Sequence, residues 1–233
     1  MVSDAFVPDD LALIRLLRLA SPALPAGAFS YSQGLETAIA QGWVQDEAAI
    51  AAWIQDVLEF NLARFEAPLL ARLARAWSAG NLAEVGRWNE LLLAGRETAE
   101  FRAETTQMGY SLRALFNATA EFSPSDFERL AQITSPAFAT VFAFAVSVWR
   151  IPVRAALAGY LFAWAENQVG VAVKSMRLGH VGAQRILSAV SSALPTLLES
   201  ALACEDDALS NFSPGLTIAS CVHETQDGRM FRS

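Results

Sequence analysis

The amino-acid sequence predicts an all-α protein, a single-domain bundle of roughly eight to ten helices with an irregular or partner-ordered C-terminal tail. The chain is rich in Ala, Leu, Arg and Glu, and its apolar residues recur at the spacing of one helix face. Its 233 residues suit one large domain, and no internal repeat, linker or low-complexity block divides them. We therefore expect residues 1–210 to form one helical domain and residues 211–233 to form the tail.

Four helical patterns occupy the first half of the chain. Residues 10–19 form a short amphipathic pattern. A longer pattern begins after Asp46, a residue type that caps helix N-termini well, and ends near Gly80. Pro68 is expected to kink or split this helix, because proline removes one hydrogen-bond donor from the helix ladder. Two more helices are expected at residues 81–94 and 97–118.

Capping signals mark the helices of the second half. Ser125 and Glu128 have the spacing of a capping box, and Ser135 with Pro136 predicts the start of the next helix. The segment that follows, residues 137–149, is apolar on all sides, so we expect it at the centre of the bundle. Further helices are expected from Pro152 to about Met176 and over residues 180–203, the latter interrupted or restarted near Pro195.

The charge of the chain argues against two classes of partner. Its net charge of −7 disfavours nucleic acid, which requires a surplus of Lys and Arg. The charge-free apolar run at residues 137–149 is shorter than the roughly 20 residues that cross a bilayer. The acidic start, "MVSDAFVPDD", is unlike a signal peptide, so we expect a cytoplasmic protein. Residues 150–185 carry a local charge of +4, which is either a solvated face or a surface that attracts an acidic partner.

Common catalytic and metal-binding patterns are missing from the sequence. The two histidines, His180 and His223, do not pair with other ligands at metal-binding spacing, and Cys221-x-His223 alone offers too few ligands. The stretch Ser30–Gly34 lacks the first glycine of a nucleophile elbow. No lysine follows the glycines of "LASPALPAGAFSYSQGLE" as a phosphate loop requires. We therefore expect no catalytic residue, no bound metal and no cofactor.

One lysine stands out against sixteen arginines. Lys174 shares a helix face with Gly170 and Arg177, and it follows the amides of "ENQ" at residues 166–168. It is either an ordinary surface lysine or a position that requires a compact charge. The amides either tie helices together or face a partner or a water-filled space.

Four stretches together resemble the family of the urease accessory protein UreF. They are "LASPALPAGAFSYSQGLE" (19–36), "ETAEFRAETTQMGYSLRAL" (97–115), "ENQVGVAVK…LGHVGAQRIL" (166–187) and "HETQDGRMFRS" (223–233). Their order and spacing are similar to those of the family over nearly the whole chain. The resemblance implies an all-helical, dimeric protein that is not itself a metal enzyme. It also implies a water-filled path for nickel through the dimer.

The resemblance further implies three kinds of partner. These are the accessory protein UreD (also called UreH), the GTPase UreG, and apo-urease, whose active site receives nickel. The residues that it marks for partner binding are Ser30, Tyr31, Gln33, Glu36, Lys174, Arg177, His223, Glu224, Thr225, Arg229, Phe231, Arg232 and Ser233. Those from Ser30 to Glu36 and Lys174 correspond to positions of UreG recruitment, and the tail from His223 corresponds to the segment that orders against UreD.

Two stretches depart from the family pattern, so the resemblance does not imply the exact contacts of the tail. Asp227-Gly228 replaces an aromatic residue and Ser of the family tail, and "SMRLGH" replaces a Pro-containing run.

The alternative function is a GTPase-activating regulator that supplies an arginine in trans, for which Arg177, Arg185 and Arg229 are candidates.

Overall fold

The computed structural model describes residues 9–176 and 178–233, and within these residues the fold is all-α. Its α-helices are α1 Asp10–Ala20, α2 Leu35–Ala40, α3 Glu47–Val57, α4 Ala67–Ser78, α5 Leu82–Ala94, α6 Ala99–Ala118, α7 Pro124–Ala131, α8 Phe138–Val148, α9 Val153–Met176, α10 His180–Ala203 and α11 Pro214–His223. Short 3₁₀ turns occur at Ala28–Ser30 and Asp206–Ala208. Because α3 and α4 are joined without a break, the described residues form ten separate helices, and the predicted fold class is confirmed.

Helix α8 lies at the centre of the bundle, as its composition predicts. Every residue from Ala139 to Val146 is buried. Helices α4 and α6 pack against it, and the indole of Trp77 on α4 donates a hydrogen bond to the carbonyl of Thr140 at 3.1 Å. A helix that is apolar on all sides is stable in water only when other helices cover every side.

Pro68 does not break the rod formed by α3 and α4. The nine residues Leu58–Glu66 between these helices form a wider π-helical segment that runs directly into α4. Proline has no N–H, so the carbonyl of Arg64 loses its normal partner one turn earlier. The N–H of Ser210 bonds to that carbonyl instead, at 3.1 Å. The carbonyl that Pro68 leaves without a helical partner therefore bonds to a distant part of the chain.

The segment that makes this contact, residues 204–211, crosses the rod, and we call it the strap. Asn211 donates from its side chain to the carbonyl of Gly95 at 2.7 Å, and its own carbonyl accepts from the side chain of Asn61 at 3.2 Å. The strap thus joins the π-helical segment to the turn between α5 and α6.

Two helix starts differ from the expected ones. Helix α7 is capped by Ser123, whose hydroxyl accepts from the N–H of Asp126 at 3.2 Å, so the cap lies two residues before Ser125. Helix α8 begins at Phe138 and not at Pro136. The N–H groups at this start are satisfied from other helices, because that of Ala137 donates to Asn89 on α5 at 2.9 Å and that of Phe138 donates to the hydroxyl of Thr105 on α6 at 3.3 Å. A cap from a neighbouring helix leaves no signal in the local sequence.

Helix α6 approaches the start of α8 closely at Gly109. A Cβ atom built on Gly109 would lie 2.1 Å from the carbonyl oxygen of Pro136. Both atoms belong to short, rigid groups, so no side chain can move aside to make room. Only glycine permits this approach, which places α6 against the core.

Helix α10 is continuous through Pro195, where we expected an interruption. Pro195 faces solvent, while Leu194 and Leu198 beside it are buried, so packing keeps the helix together across the missing donor. By length and composition alone, α10 is the one helix of the described residues that is apolar enough to cross a membrane, with a mean hydropathy of 1.4. A helix of a soluble protein's core passes the same test.

The tail contains a helix, where the sequence analysis expected an irregular segment. Helix α11 has Pro214 in its first turn, and its buried residues Leu216 and Ala219 pack against α2. A Cβ atom on Gly34, which has φ +78°, would lie 3.0 Å from the Cβ of Ala219. The tail is therefore folded onto its own chain.

Candidate functional site

The end of the tail pairs with the loop that precedes α2. The N–H of Ser32 donates to the carbonyl of Ser233 at 2.7 Å, and the N–H of Arg232 donates to the carbonyl of Ser30 at 2.8 Å. The hydroxyl of Ser32 also donates to the Ser233 carbonyl. We call the surface made by residues 30–36, residues 223–233 and Lys174 the tail–loop surface.

Glu36 anchors the tail from the first turn of α2. Its carboxylate is 8 % exposed, and it accepts hydrogen bonds from the backbone N–H groups of Met230 at 2.7 Å and Phe231 at 3.1 Å. The Nε2 atom of His223 lies 3.4 Å from the same carboxylate. Backbone donors compensate the burial of this charge, as a buried carboxylate requires.

Glu100 on α6 makes a second anchor. Its carboxylate lies 2.6 Å from Nδ1 of the fully buried His223 and 2.8 Å from Nη1 of Arg229. The ring of His223 therefore stands between the carboxylates of Glu36 and Glu100, and it joins α2, α6 and α11 in one polar contact.

Gln33 is held in an unusual backbone conformation. Its φ is +49°, which is rare for a residue with a Cβ atom, and Gly34 follows with φ +78°. The side chain accepts a hydrogen bond from the indole of Trp164 on α9 and donates one to Glu104 on α6. Strained residues of this kind persist where the surroundings fix them, and they are frequent at functional sites.

Glu104 is a buried carboxylate beneath the tail–loop surface. It is 5 % exposed, and it accepts hydrogen bonds from Gln33 and from the hydroxyl of Ser233, the latter at 2.8 Å. Burial raises its pKa to about 7, although these two hydrogen bonds and Arg96 act in the opposite direction.

A cavity of about 290 Å³ adjoins Glu104. It is lined by apolar residues and by a buried polar group in which Arg96 pairs with Glu66 at 2.7 Å and the hydroxyl of Tyr160 donates to Glu66. Burial and the neighbouring Glu66 raise the pKa of Tyr160. Burial lowers the pKa of Arg96, but Glu66, Tyr160 and Glu104 together raise it by more. The Nε–H of Arg96 has no protein partner among the described residues.

Lys174 lies near the end of α9, where its side chain is exposed. Its Nζ atom is 5.5 Å from the centre of the Phe231 ring, within the range of a cation–π contact. Two helical turns nearer the middle of α9, the side chain of Asn167 donates to the carbonyl of Tyr31 at 3.1 Å. The helix with the lone lysine thus contacts both the loop and the tail.

The structure brings together most of the residues that the resemblance marked, although they are far apart in sequence. Tyr31, Glu36, His223, Phe231 and Ser233 are buried. Ser30 and Gln33 are partly exposed, and the side chains at the rim are exposed, namely Lys174, Glu224, Thr225, Arg229 and Arg232. Arg177 lies outside the described residues.

Tyr31 is buried where the sequence suggested a residue on a docking surface. Burial raises the pKa of its hydroxyl, nearby Glu104 raises it further, and a hydrogen bond with Arg232 acts against both. Phe29, two residues earlier, is 60 % exposed. Tyr31 therefore supports the exposed side chain of Arg232 from below.

Sequence reasoning missed the two carboxylates on which the tail depends. Glu100 and Glu104 are four residues apart on α6, so both project from the same helix face toward the tail. Two acidic residues at this spacing on a helix with buried apolar neighbours were a signal in "ETAEFRAETTQMGYSLRAL". Their partners were invisible, because Gln33 and Ser233 are far away in sequence.

The basic stretch at residues 150–185 is partly neutralised within the chain. Arg185 bonds to Glu47 on α3 at 2.7 and 2.8 Å, and Arg154 pairs with Glu199 on α10 at 2.7 Å. Lys174 and Arg150 are both exposed and form no ion pair within the described residues, so a partner can bind either of these cations without breaking one.

The tail–loop surface combines exposed charges with buried hydrogen bonds. Among the described residues, no group of three or more His, Cys, Asp and Glu side chains is placed to hold a metal ion, and both cysteines are free. What the tail–loop surface offers is a rim of exposed charged side chains on a base of buried hydrogen bonds.

Comparison with known proteins gives a consistent family. A family model described as UreF matches residues 44–191. The chain is 54 % identical to the urease accessory protein UreF of Azoarcus sp. (strain BH72) over 225 residues, which cover 96 % of each chain. It is 48 % identical to that of Janthinobacterium sp. (strain Marseille), with 95 % of this chain and 98 % of the relative covered. It is 47 % identical to that of Marinobacter nauticus, with 96 % and 95 % covered.

Proposed function

The chain belongs to the UreF family of urease accessory proteins and so has a role in urease maturation, and from this premise we propose a more specific function. The protein is a non-catalytic chaperone component that bridges a UreD/UreH-type accessory protein and a UreG-type GTPase. In this way it supports delivery of nickel into apo-urease. It acts in the cytoplasm as a homodimer, without contact to nucleic acid or membrane.

The observation that carries this proposal is the tail–loop surface. Residues from three distant parts of the chain meet there, and the exposed side chains of Lys174, Arg229 and Arg232 surround a buried, hydrogen-bonded base. A fixed base presents these charges in one geometry, which reduces the ordering cost of binding. Basic side chains on a chain of net charge −7 also favour an acidic partner surface at this place.

Exposed apolar side chains of the tail support the contact with the UreD-type protein. Phe212 is 76 %, Ile218 54 % and Met230 62 % exposed, and all three lie in the tail. Large apolar side chains that are exposed in one segment are typical of an interaction site. We assign these three side chains to the UreD-type partner and the charged rim to the GTPase.

The cavity next to Glu104 supports the nickel-related part of the proposal. It places carboxylate, amide and guanidinium groups inside an otherwise apolar bundle, in a volume of about 290 Å³ that is large enough for several waters. The carboxylates in it would favour passage of a hydrated cation. Nickel is the cargo in this proposal, and no residue is assigned as its resident ligand.

Lys174→Ala tests the proposal directly. We expect the variant to fold normally and to lose co-purification of the UreG-type GTPase, because the change removes an exposed cation that forms no ion pair among the described residues and whose Nζ atom lies 5.5 Å from the Phe231 ring. The matched control is Arg154→Ala, which removes an exposed cation from the other end of the same helix.

Ile218→Asp should instead release the UreD-type protein, with Tyr110→Asp on α6 as its control. Normal recovery of both partners with Lys174→Ala and Ile218→Asp would refute the assignment of these surfaces.

The alternative function, activation of the GTPase by an arginine in trans, has one candidate on the tail–loop surface. Arg229 lies there and pairs with Glu100 at 2.8 Å, whereas Arg185, which pairs with Glu47 at 2.7 Å, lies on α10 outside this surface. Single-turnover GTP hydrolysis, measured with the wild type and with Arg229→Ala, separates the two functions. Acceleration that depends on Arg229 would favour the alternative, and no acceleration would leave the bridging role.

A further inference from the structure

Glu104 connects the two halves of the tail–loop surface from below. One carboxylate oxygen accepts from the side-chain amide of Gln33 in the loop, and the other accepts from the hydroxyl of Ser233 in the tail at 2.8 Å. Glu104 is 5 % exposed and Ser233 is fully buried. We call the groups that hold residues 230–233 on the loop the seat of the tail. The seat therefore includes a carboxylate that is almost out of contact with water.

This carboxylate forms no ion pair within the described part of the chain. Arg96, the cation whose charge acts on Glu104, is already paired with Glu66 at 2.7 Å. The other titratable groups that face Glu104 are Glu66 in the π-helical segment, Tyr160 on α9 and Tyr31 in the loop. The negative charge of Glu66 repels a negative charge on Glu104. The two tyrosines carry no positive charge that could balance it. The charged form of Glu104 is therefore costly while it stays buried.

Of the segments that cover Glu104, the tail is the one that can move away. After His223 the chain has no regular secondary structure, and Glu224, Thr225 and residues 227–230 are exposed. Ser233 and Phe231 are the buried parts of this segment, and Phe231 also lines the cavity beside Glu104. If residues 230–233 leave their seat, water reaches the carboxylate.

We propose that protonation of Glu104 controls the position of the tail: the protonated side chain holds residues 230–233 on the loop, and ionisation releases them. The protonated acid keeps every hydrogen bond of the seat. Its carbonyl oxygen still accepts from Gln33, and its O–H donates to the hydroxyl of Ser233, which can accept as well as donate. This inference rests on the proposed function in one respect, that the tail–loop surface is the docking site. The movement of the tail itself requires no partner.

The size and pH window of the effect follow from linkage. The pKa of Glu104 rises from 4.5 to about 7 on burial. A raised pKa means that the closed form binds the proton more tightly, so closure is strongest below pH 4.5 and weakens as the pH rises through about 7. If release returned the pKa fully to 4.5, the opening equilibrium would increase roughly 300-fold over this range and then level off.

Amide hydrogen exchange on the full chain measures the switch without any partner. The probes are the N–H groups of Ser32, Met230, Phe231 and Arg232, which all donate across the seat. Exchange is recorded from pH 5 to 8.5 and divided by the intrinsic rate at each pH. We expect protection to fall as the pH rises toward 7 and to stay constant above it. In Glu104→Gln, which cannot ionise, protection should be independent of pH.

Two results would overturn the proposal. One is wild-type protection that is constant or increases over this range, and the other is a Glu104→Gln variant with the wild-type profile, since another group would then control the tail. If Glu104→Gln does not fold, Ser233→Ala replaces it as the test. Loss of the Ser233 hydroxyl removes a hydrogen bond that favours the charged form, so the plateau should move to higher pH; an unchanged profile would contradict the mechanism.

The proposed function and the switch are tested by different measurements. Co-purification with Lys174→Ala reports on docking, and hydrogen exchange reports on the tail. A chain that recruits its partners through Lys174 but shows no pH-dependent protection would retain the proposed function and refute the switch. The opposite pair of results would retain the switch and refute the docking assignment.

Discussion

Removing the anchor at Glu36 should detach the tail while the helical bundle stays folded. Glu36→Ala deletes a buried carboxylate that accepts from the N–H groups of Met230 and Phe231 at 2.7 and 3.1 Å. A hydrogen bond to a charged group contributes about 1.5–3 kcal/mol. Met230 is exposed, so its N–H recovers part of this from water, whereas that of Phe231 does not. We therefore estimate a loss of about 3 kcal/mol from the seat of the tail.

Limited trypsin digestion converts this energy into a rate. Cleavage after Arg229 requires the tail to leave the loop, because a protease needs several residues in extended form. When opening is fast compared with cleavage, the rate follows the open population, which about 3 kcal/mol increases roughly 100-fold. Mass spectrometry identifies the product, and circular dichroism checks that the helix content is unchanged.

Glu36→Gln is the matched control, since it keeps the shape and one acceptor oxygen. It should be cleaved at an intermediate rate. If Glu36→Ala were cleaved no faster than the wild type, the carboxylate would contribute nothing to the seat and the reasoning would be wrong. If instead the whole bundle unfolded, then Glu36 would stabilise the core and not the tail alone.

Two further predictions concern the approach of α6 and α5 to α8. Gly109→Ala should lower the free energy of unfolding by about 2 kcal/mol or more, because its Cβ would lie 2.1 Å from the carbonyl oxygen of Pro136. Gly86→Ala on α5, where nothing lies within 4 Å, should raise it by about 0.5–1 kcal/mol, and urea denaturation compares the two. Asn89→Ala leaves the N–H of Ala137 without its partner, so we expect a loss of about 1–3 kcal/mol by the same assay. Equal stability of Gly109→Ala and Gly86→Ala, or an unchanged midpoint for Asn89→Ala, would contradict these assignments.

The fold class and the order of the helices could be predicted because they depend on local patterns. The apolar residues of α8 are buried wherever the helix starts, and Asp46 caps α3 with its own side chain, 2.8 Å from the N–H of Ala49. The start of α8 could not be predicted, because its cap comes from Asn89 on another helix. The effect of Pro68 was equally hidden, since the compensating donor is Ser210.

The candidate site was predictable only in part, for the same reason. The resemblance marked residues of the loop and the tail, and the single lysine was visible in the composition. Burial of Glu36 and His223 was not visible, since carboxylates and histidines are usually exposed. Their burial depends on backbone donors and carboxylates that only the folded tail brings near.

The strap has a practical consequence for dissecting the protein. Ser210 supplies the donor that Pro68 takes from the Arg64 carbonyl, and Asn211 ties the rod to the α5–α6 turn. Truncation before Ser210 would remove these hydrogen bonds and destabilise the bundle. A loss of partner binding could then come either from the missing tail or from the damaged fold. A cut after His223 leaves these bonds intact. The position of the cut, and not only the number of residues removed, decides whether a shortened chain reports on recognition or on folding.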